Sequence, residues 1–266
     1  MPHVHPTAIV APGAMLAETV VIGPYCIVGE DVSLGPRVTL RSHVVVDGRT
    51  SIGEGTRLFP FASIGLEPQD LKYRGEQSEL VIGRGNTIRE YVTMNPGTAG
   101  GGMVTRIGDG CLFMVGAHVA HDCQIGNQVV MANNATLAGH VVVEDYAVLG
   151  GLCAVHQYVR IGRHAMIGGM SGVERDVIPY GQAIGDRARL TGLNIIGMQR
   201  AGYNREDIQA LRAAYQVLFA HEGTLSERVD EAGERFGGIG PVDDVIAFIR
   251  ADSTRAICQP KGAAGA

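Results

Sequence analysis

Residues 116–123 read GAHVAHDC, two histidines three positions apart with an aspartate directly after the second. His140 and His156 follow further along the chain. An imidazole has an ordinary pKa of about 6.5, so it can take up a proton at neutral pH. Beside a carboxylate it makes a general base able to strip a hydroxyl. The same residue types can hold a metal, and a histidine can also simply pack in a core. Which of these applies depends on the elements that carry them.

Those elements follow a count of six. From Val4 every sixth residue is aliphatic: Val10, Leu16, Ile22, Val28, Leu34, Leu40, Val46, Ile52, Leu58 and Ile64. The same frame continues at Ile82, Ile88 and Met94, slips by one, and resumes from Ile107 to Val173. A fixed short period marks a stacked repeat, here a hexapeptide β-helix. Four residues after each anchor stands a small or β-branched residue, such as Ala8, Cys26, Val44, Ala117 or Ala135. It lies two before the next anchor, so both point to one side of a strand, the interior. Glycine often follows the anchor, as at Gly23 and Gly29, where the chain turns a corner and backbone freedom is expected to matter. Four of the five cysteines occupy small interior positions and are expected to be packing residues.

Two segments leave the count. Residues 65–81, with the run QDLKYRGE, and residues 97–106, with three consecutive glycines, are expected to be loops outside the prism. Loops on a rigid scaffold often carry function, and Lys72 and Arg74 would suit a phosphate or a pyrimidine. After Pro179 the sixes stop. Residues 182–200 read as irregular. A helix is expected behind Asn204, a second behind the capping box TLSE at 224–227, and a third over 242–250. The tail PKGAAGA is expected to fray. The division is therefore a β prism over residues 1–181 and a small α-helical domain over residues 182–266 that caps strand edges.

In this frame His118 lies on an outward strand position, and His121, His140 and His156 lie at corners. The last three are separated by 19 and 16 residues, near three hexads, so a coil of three hexads would bring them to one edge. No H-x4-H pair and no acidic or cysteine ligand at metal spacing accompanies them, which favours a general base over a metal. The remaining composition narrows the class. Net charge is −5 with no basic block, so nucleic acid is not an expected partner. No run of about 18 apolar residues suggests a membrane span. The first residues lack signal-peptide features, and no CxxC pair occurs, so the expected compartment is the reducing cytoplasm.

The hexads resemble the left-handed parallel β-helix of acyltransferases, in which three hexads make one coil and three prisms form a homotrimer. The motifs HPTAIV, SHVVVDG, QDLKYRGE, AHVAHDC, ANNATLAGHV, AVHQ, IGGMSGV, LNIIGMQRAGYNRE and STRAI occur in order. Together they resemble the acyl-[acyl-carrier-protein]–UDP-N-acetylglucosamine O-acyltransferases of lipid A synthesis over nearly the whole chain. The resemblance implies transfer of a 3-hydroxyacyl chain from acyl carrier protein, where phosphopantetheine holds it, to the 3-hydroxyl of UDP-N-acetylglucosamine. It implies no metal, no further cofactor and no acyl-enzyme. His121 would be the base, Asp122 its partner, and Gly139 the donor of an oxyanion N–H. His118, His140, His156 and Gln157 would line the sugar and acyl groove. Asp70 and Lys72 would hold the nucleotide sugar. Arg200 and Arg205 would meet its phosphates or the carrier. Gly169 and Met170 would bound the acyl tail. The site would lie between subunits.

Some positions depart from the family's pattern. TMNPGT at 93–98 stands where many members carry TIHRGT, so Asn95 and Pro96 replace a histidine and an arginine. Ala201 and Arg187 stand where a basic residue and a histidine are expected. The neighbouring readings are an N-acyltransferase acting on a UDP-3-amino sugar and a coenzyme-A-dependent sugar acetyltransferase. The first usually carries a uridine-binding domain before its prism, whereas here the sixes begin at Val4. A non-enzymatic trimeric scaffold would leave the aligned histidines unexplained.

Overall fold

The computed structural model describes residues 1–261. Three sheets of 11, 9 and 8 strands, parallel but for the last strand of the first, form the faces of a triangular prism, and most strands are only two residues long. The chain passes from the first face to the second to the third and back, a left-handed parallel β-helix. Each strand pairs with the one eighteen residues on, as His3 with Val21 and Leu112 with Val130. Across the first loop the step widens, and Ser63 pairs with Thr93; across the second, Thr93 pairs with His118. The loops are therefore absorbed without disturbing which residues face inward. They are also shorter than the sequence suggests, because strands resume at Glu79 and Val104.

The anchors and small positions fill the interior. Ile22, Val46, Leu58, Phe113, Leu137 and Ile167 are wholly buried, with Ala117, Ala135 and Cys123 between them. Each large side chain so buried contributes about 1.5–3 kcal/mol. The first coil differs. Val4 is 38% exposed, whereas Ile22, stacked on it one coil later, is 0% exposed. Among the described residues the first coil has a neighbour on one side only, which leaves its anchor exposed.

At the corners the left-handed backbone falls three residues after the anchor. Tyr25, His43, Asp122, His140, Tyr158, His164 and Met170 all have φ between 53° and 66°. Of the glycines directly after the anchors, Gly65 has a left-handed φ of 82°, whereas Gly23 and Gly29 have ordinary φ. What Gly23 needs is space, because a Cβ there would lie 2.9 Å from the backbone of Arg41 on the next coil. The expectation that such glycines supply conformational freedom therefore holds at Gly65 and is corrected for Gly23 and Gly29.

The reading of residues 182–200 as irregular is also corrected. Gly181–Ile184 joins the first face and pairs antiparallel with Arg189–Leu193, and α1 follows at Ile195–Arg200. A hairpin has no six-residue period, so the frame could not reveal it. Helices α2 (Arg205–Leu218), α3 (Leu225–Phe236) and α4 (Gly240–Arg250) complete the cap. Asn204 caps α2, and Thr224 with Glu227 forms the capping box of α3. The hairpin and the segment reaching Pro260 cover the last coils, with bridges from Asp176 to Ile257 and from Leu190 to Pro260. Part of the tail expected to fray, 262–266, lies outside the described residues. All five cysteines are free and buried. Burial pushes the thiols of Cys111 and Cys153 up to about 11 and that of Cys123 to about 12, which suits packing rather than reactivity.

Candidate active site

The second face and the corner that follows it carry the candidate groups. His118 points outward from the strand His118–Val119, and its Nδ1 lies 2.7 Å from Thr93 Oγ1 on the preceding coil. Burial, and then the neighbouring His121, hold its pKa below the ordinary histidine value. Two residues later the chain turns. Adjacent residues usually point apart, but the left-handed φ of 60° at Asp122 swings its carboxylate back alongside His121. The result is a hydrogen bond of 2.8 Å between His121 Nδ1 and Asp122 Oδ2.

Asp122 is held from several sides. Thr98 donates its backbone N–H to Oδ1 at 2.9 Å and its hydroxyl to Oδ2 at 2.6 Å. The backbone N–H of Asp122 donates to Thr105 Oγ1 at 2.8 Å. The side chain has no exposed surface. Gly101 crosses so closely that a Cβ there would meet the carboxylate carbon at 2.0 Å. This is the work of the glycine-rich second loop, and it explains the burial of a charge that would otherwise be costly. The carboxylate, an acceptor, fixes the His121 proton on Nδ1 and leaves Nε2 as the lone-pair nitrogen.

That Nε2 edge lies against Gly139 on the next coil, where a Cβ would stand 2.6 Å from Nε2 and 2.4 Å from Cε1. Only a glycine admits the ring at this distance. The Gly139 N–H donates to no acceptor among the described residues, while its carbonyl accepts from Tyr158 N–H. A ring nitrogen and a backbone N–H with no acceptor among the described residues thus lie side by side on neighbouring coils. His140 sits beside them, edge-on to His121 with centroids 5.0 Å apart and stacked on Tyr158 at 4.4 Å. Its pKa is lowered, chiefly by burial, with Asp122 opposing. The charges of Asp70 and Lys72 also act on His140, raising and lowering its pKa respectively, so the first loop lies near this corner.

One expectation needs correction. The sequence offered no acidic ligand at metal spacing, yet His121, Asp122 and His140 place ligand atoms within 4.8 Å of one another. The fold assembles what spacing did not show. Both Nδ1 atoms turn to the same Asp122 oxygen, at 2.8 and 3.8 Å, and the Thr98 hydroxyl already donates to that oxygen. This arrangement is that of a hydrogen-bonded carboxylate.

Other expected residues are placed elsewhere. His156 and Gln157 stand on the same corner column one coil beyond Gly139 and His140, both exposed. Gly169 and Met170 lie at a different corner, between the first and second faces, with Met170 75% exposed. Arg200 ends α1 and Arg205 begins α2, both exposed on the cap. No single chain brings these into contact with His121. Asn95, a departure, is buried and donates to the carbonyls of Leu66 and Glu67, anchoring the first loop. Ala201 closes α1, and Arg187 sits exposed in the hairpin turn near Glu174. A cleft of about 800 Å³ lies between the third face and α4, lined among others by Arg106, Gln124, Arg160 and Phe248. None of the four histidines lines it.

The hexapeptide family of bacterial transferases, six repeats, matches residues 105–139, and domain 2 of the UDP-N-acetylglucosamine O-acyltransferase family matches residues 176–258. The chain is 53% identical to an acyl-[acyl-carrier-protein]–UDP-N-acetylglucosamine O-acyltransferase of Caulobacter vibrioides, covering 97% of this chain and 98% of that one. The chain belongs to the acyl-[acyl-carrier-protein]–UDP-N-acetylglucosamine O-acyltransferases. Among solved structures of this O-acyltransferase family, LpxA from Acinetobacter baumannii superposes with a TM-score of 0.93 at 40% identity, covering 96% of this chain and 99% of that one. The UDP-N-acetylglucosamine acyltransferase from Campylobacter jejuni gives 0.91 at 38% identity, covering 97% and 100%. As an O-acyltransferase the chain is an enzyme, and the likeness spans prism and cap together.

Proposed function

We propose that this enzyme transfers a 3-hydroxyacyl group from the phosphopantetheine thioester of acyl carrier protein to the 3-hydroxyl of UDP-N-acetylglucosamine, the first step of lipid A synthesis. The observation that carries the mechanism is the buried His121–Asp122 pair set against the Gly139 N–H, which has no acceptor among the described residues. His121 Nε2 takes the hydroxyl proton as the sugar oxygen attacks the thioester carbon. The carbonyl oxygen becomes an oxyanion and is met by the Gly139 N–H. Collapse breaks the C–S bond, and the leaving thiolate takes the proton back from His121. Asp122 keeps the ring in the required tautomer and balances its charge while it is protonated. No cofactor beyond the carrier's own thioester enters these steps.

The placement of Gly169, Met170, Arg200 and Arg205 away from His121 supports a site completed by a second subunit, in keeping with a homotrimer. His118, His140, His156 and Gln157 would line the acceptor and acyl groove, with Asp70 and Lys72 closing it. No described helix is long and apolar enough to cross a membrane. A donor held on acyl carrier protein supports a cytoplasmic reaction.

The test is turnover of UDP-N-acetylglucosamine with a panel of 3-hydroxyacyl carrier proteins, in chelator, with metal content measured in parallel. Ester product is expected from the wild type, with a loss of at least about 10²-fold in His121→Ala. Product only with a 3-amino sugar, or only with coenzyme A thioesters, would overturn the assignment. So would full activity in the variant.

A further inference from the structure

The segment after α4 returns to the prism and is fixed on both sides of one arginine. Ser253 Oγ donates to Asp176 Oδ2 at 2.6 Å. Asp176 is wholly buried and also accepts from Arg160, at Nε (2.7 Å) and the backbone N–H (2.8 Å). Beyond the arginine, Asp176 N–H donates to Ala256 O at 3.0 Å and Cys258 N–H donates to Asp176 O at 2.7 Å. Between these ties the side chain of Arg255 crosses to the histidine corner. Its Nε donates to Gln157 O at 2.9 Å, and its Nη2 stands 2.8 Å from His156 Nδ1.

We propose that Arg255 is a positioning residue that sets the tautomer and orientation of His156. This rests on the O-acyltransferase reading for its catalytic consequence, but the geometry stands by itself. A guanidinium only donates, so Nδ1 of His156 must accept, and the ring proton resides on Nε2. A competing partner lies close by, because Gln157 O is 3.3 Å from the same Nδ1. Left to that carbonyl, His156 would carry its proton on Nδ1 and present a bare acceptor at Nε2. Arg255 prevents this twice over, by occupying the carbonyl with Nε and Nδ1 with Nη2. The planar fork suits two acceptors at fixed separation, which an ammonium cannot match. His156 therefore presents an N–H donor at its free edge, one coil beyond His140, suited to an oxygen acceptor on the acyl group or the sugar.

The test combines histidine ¹⁵N NMR with steady-state kinetics on wild type, Arg255→Ala and Arg255→Lys, with the His156 signal assigned by its loss in His156→Ala. The expected result is an Nε2–H tautomer in the wild type and a shift toward Nδ1–H in Arg255→Ala. Turnover should fall by about tenfold at unchanged melting temperature, with partial recovery in Arg255→Lys. An Nδ1–H tautomer in the wild type would overturn the proposal. So would an alanine variant that keeps both tautomer and turnover, or one that loses turnover with the tautomer intact, since a merely structural tether would do that. Wild-type protein inactive on every acyl carrier tried would count against the proposed reaction, while the NMR arm would still decide the role of Arg255.

Discussion

Thr98 gives Asp122 two of its hydrogen bonds, one from the backbone and one from the hydroxyl. Thr98→Val keeps the shape and the backbone donor but leaves a buried carboxylate oxygen short of one partner. A hydrogen bond to a charged group is worth about 1.5–3 kcal/mol. Turnover should therefore fall by about ten- to a hundredfold, with substrate KM little changed, as steady-state kinetics would show. If the variant kept wild-type turnover, the clamp would be irrelevant to the proposed dyad. At this scale the sequence was informative where the six-residue frame reached. It put His121, His140 and His156 at corners and His118 on an outer face. It could not show Thr98 or Arg255, because one enters from a loop outside the frame and the other from the cap, about a hundred residues from its partner. Nor could it show that a left-handed residue at 122 would turn the aspartate onto its neighbour.

The cap is fastened to the prism by a small polar cluster at the third corner. Tyr180 donates to Asp244 Oδ2 at 2.5 Å, Arg163 approaches the same oxygen at 3.4 Å, and Tyr203 joins through Tyr180 at 3.2 Å. Burial and Asp244 raise the Tyr180 pKa far above its ordinary value, so the phenol stays a donor. Arg160 adds a cation–π contact with Phe248 of α4 at 4.3 Å. Asp244→Ala strands these donors and should destabilise the protein by about 1–3 kcal/mol, seen as a lower urea midpoint. The loss should fall first on the cap, with hydrogen exchange rising in α4 before the interior strands. Uniform exchange across both parts would mean that they unfold as one unit. The helices were legible from caps and apolar spacing. The hairpin before them was not, because a short antiparallel excursion carries neither the six-residue nor the helical period.

Across the whole molecule, three histidines are held below their ordinary pKa, each chiefly by burial: His118, His140 and His164. The unfolded chain then binds protons more readily than the folded one. Stability from these sites is present in full above about pH 6.5 and is lost as pH falls toward the depressed folded values. Denaturation at pH 7.5 and 5.5 should show the drop, and His164→Gln should lessen it. A flat profile would show that burial of these rings does not weigh on folding.

The eighteen-residue step, widened only where a loop enters at a corner, has a consequence for how such a gene can change. Adding or removing one residue within a coil would swap inward and outward side chains for every strand that follows, whereas residues added at a corner leave the later frame untouched. Both loops of this chain, at Gly65 and near Gly97, sit at such corners; inward residues still pair with inward residues across each, and the eighteen-residue step returns beyond the second. Variation in length among descendants of this sequence should therefore gather at the corners, or come in whole coils, so that the prism is inherited as a set of interchangeable lengths while new contacts are tried out at its edges.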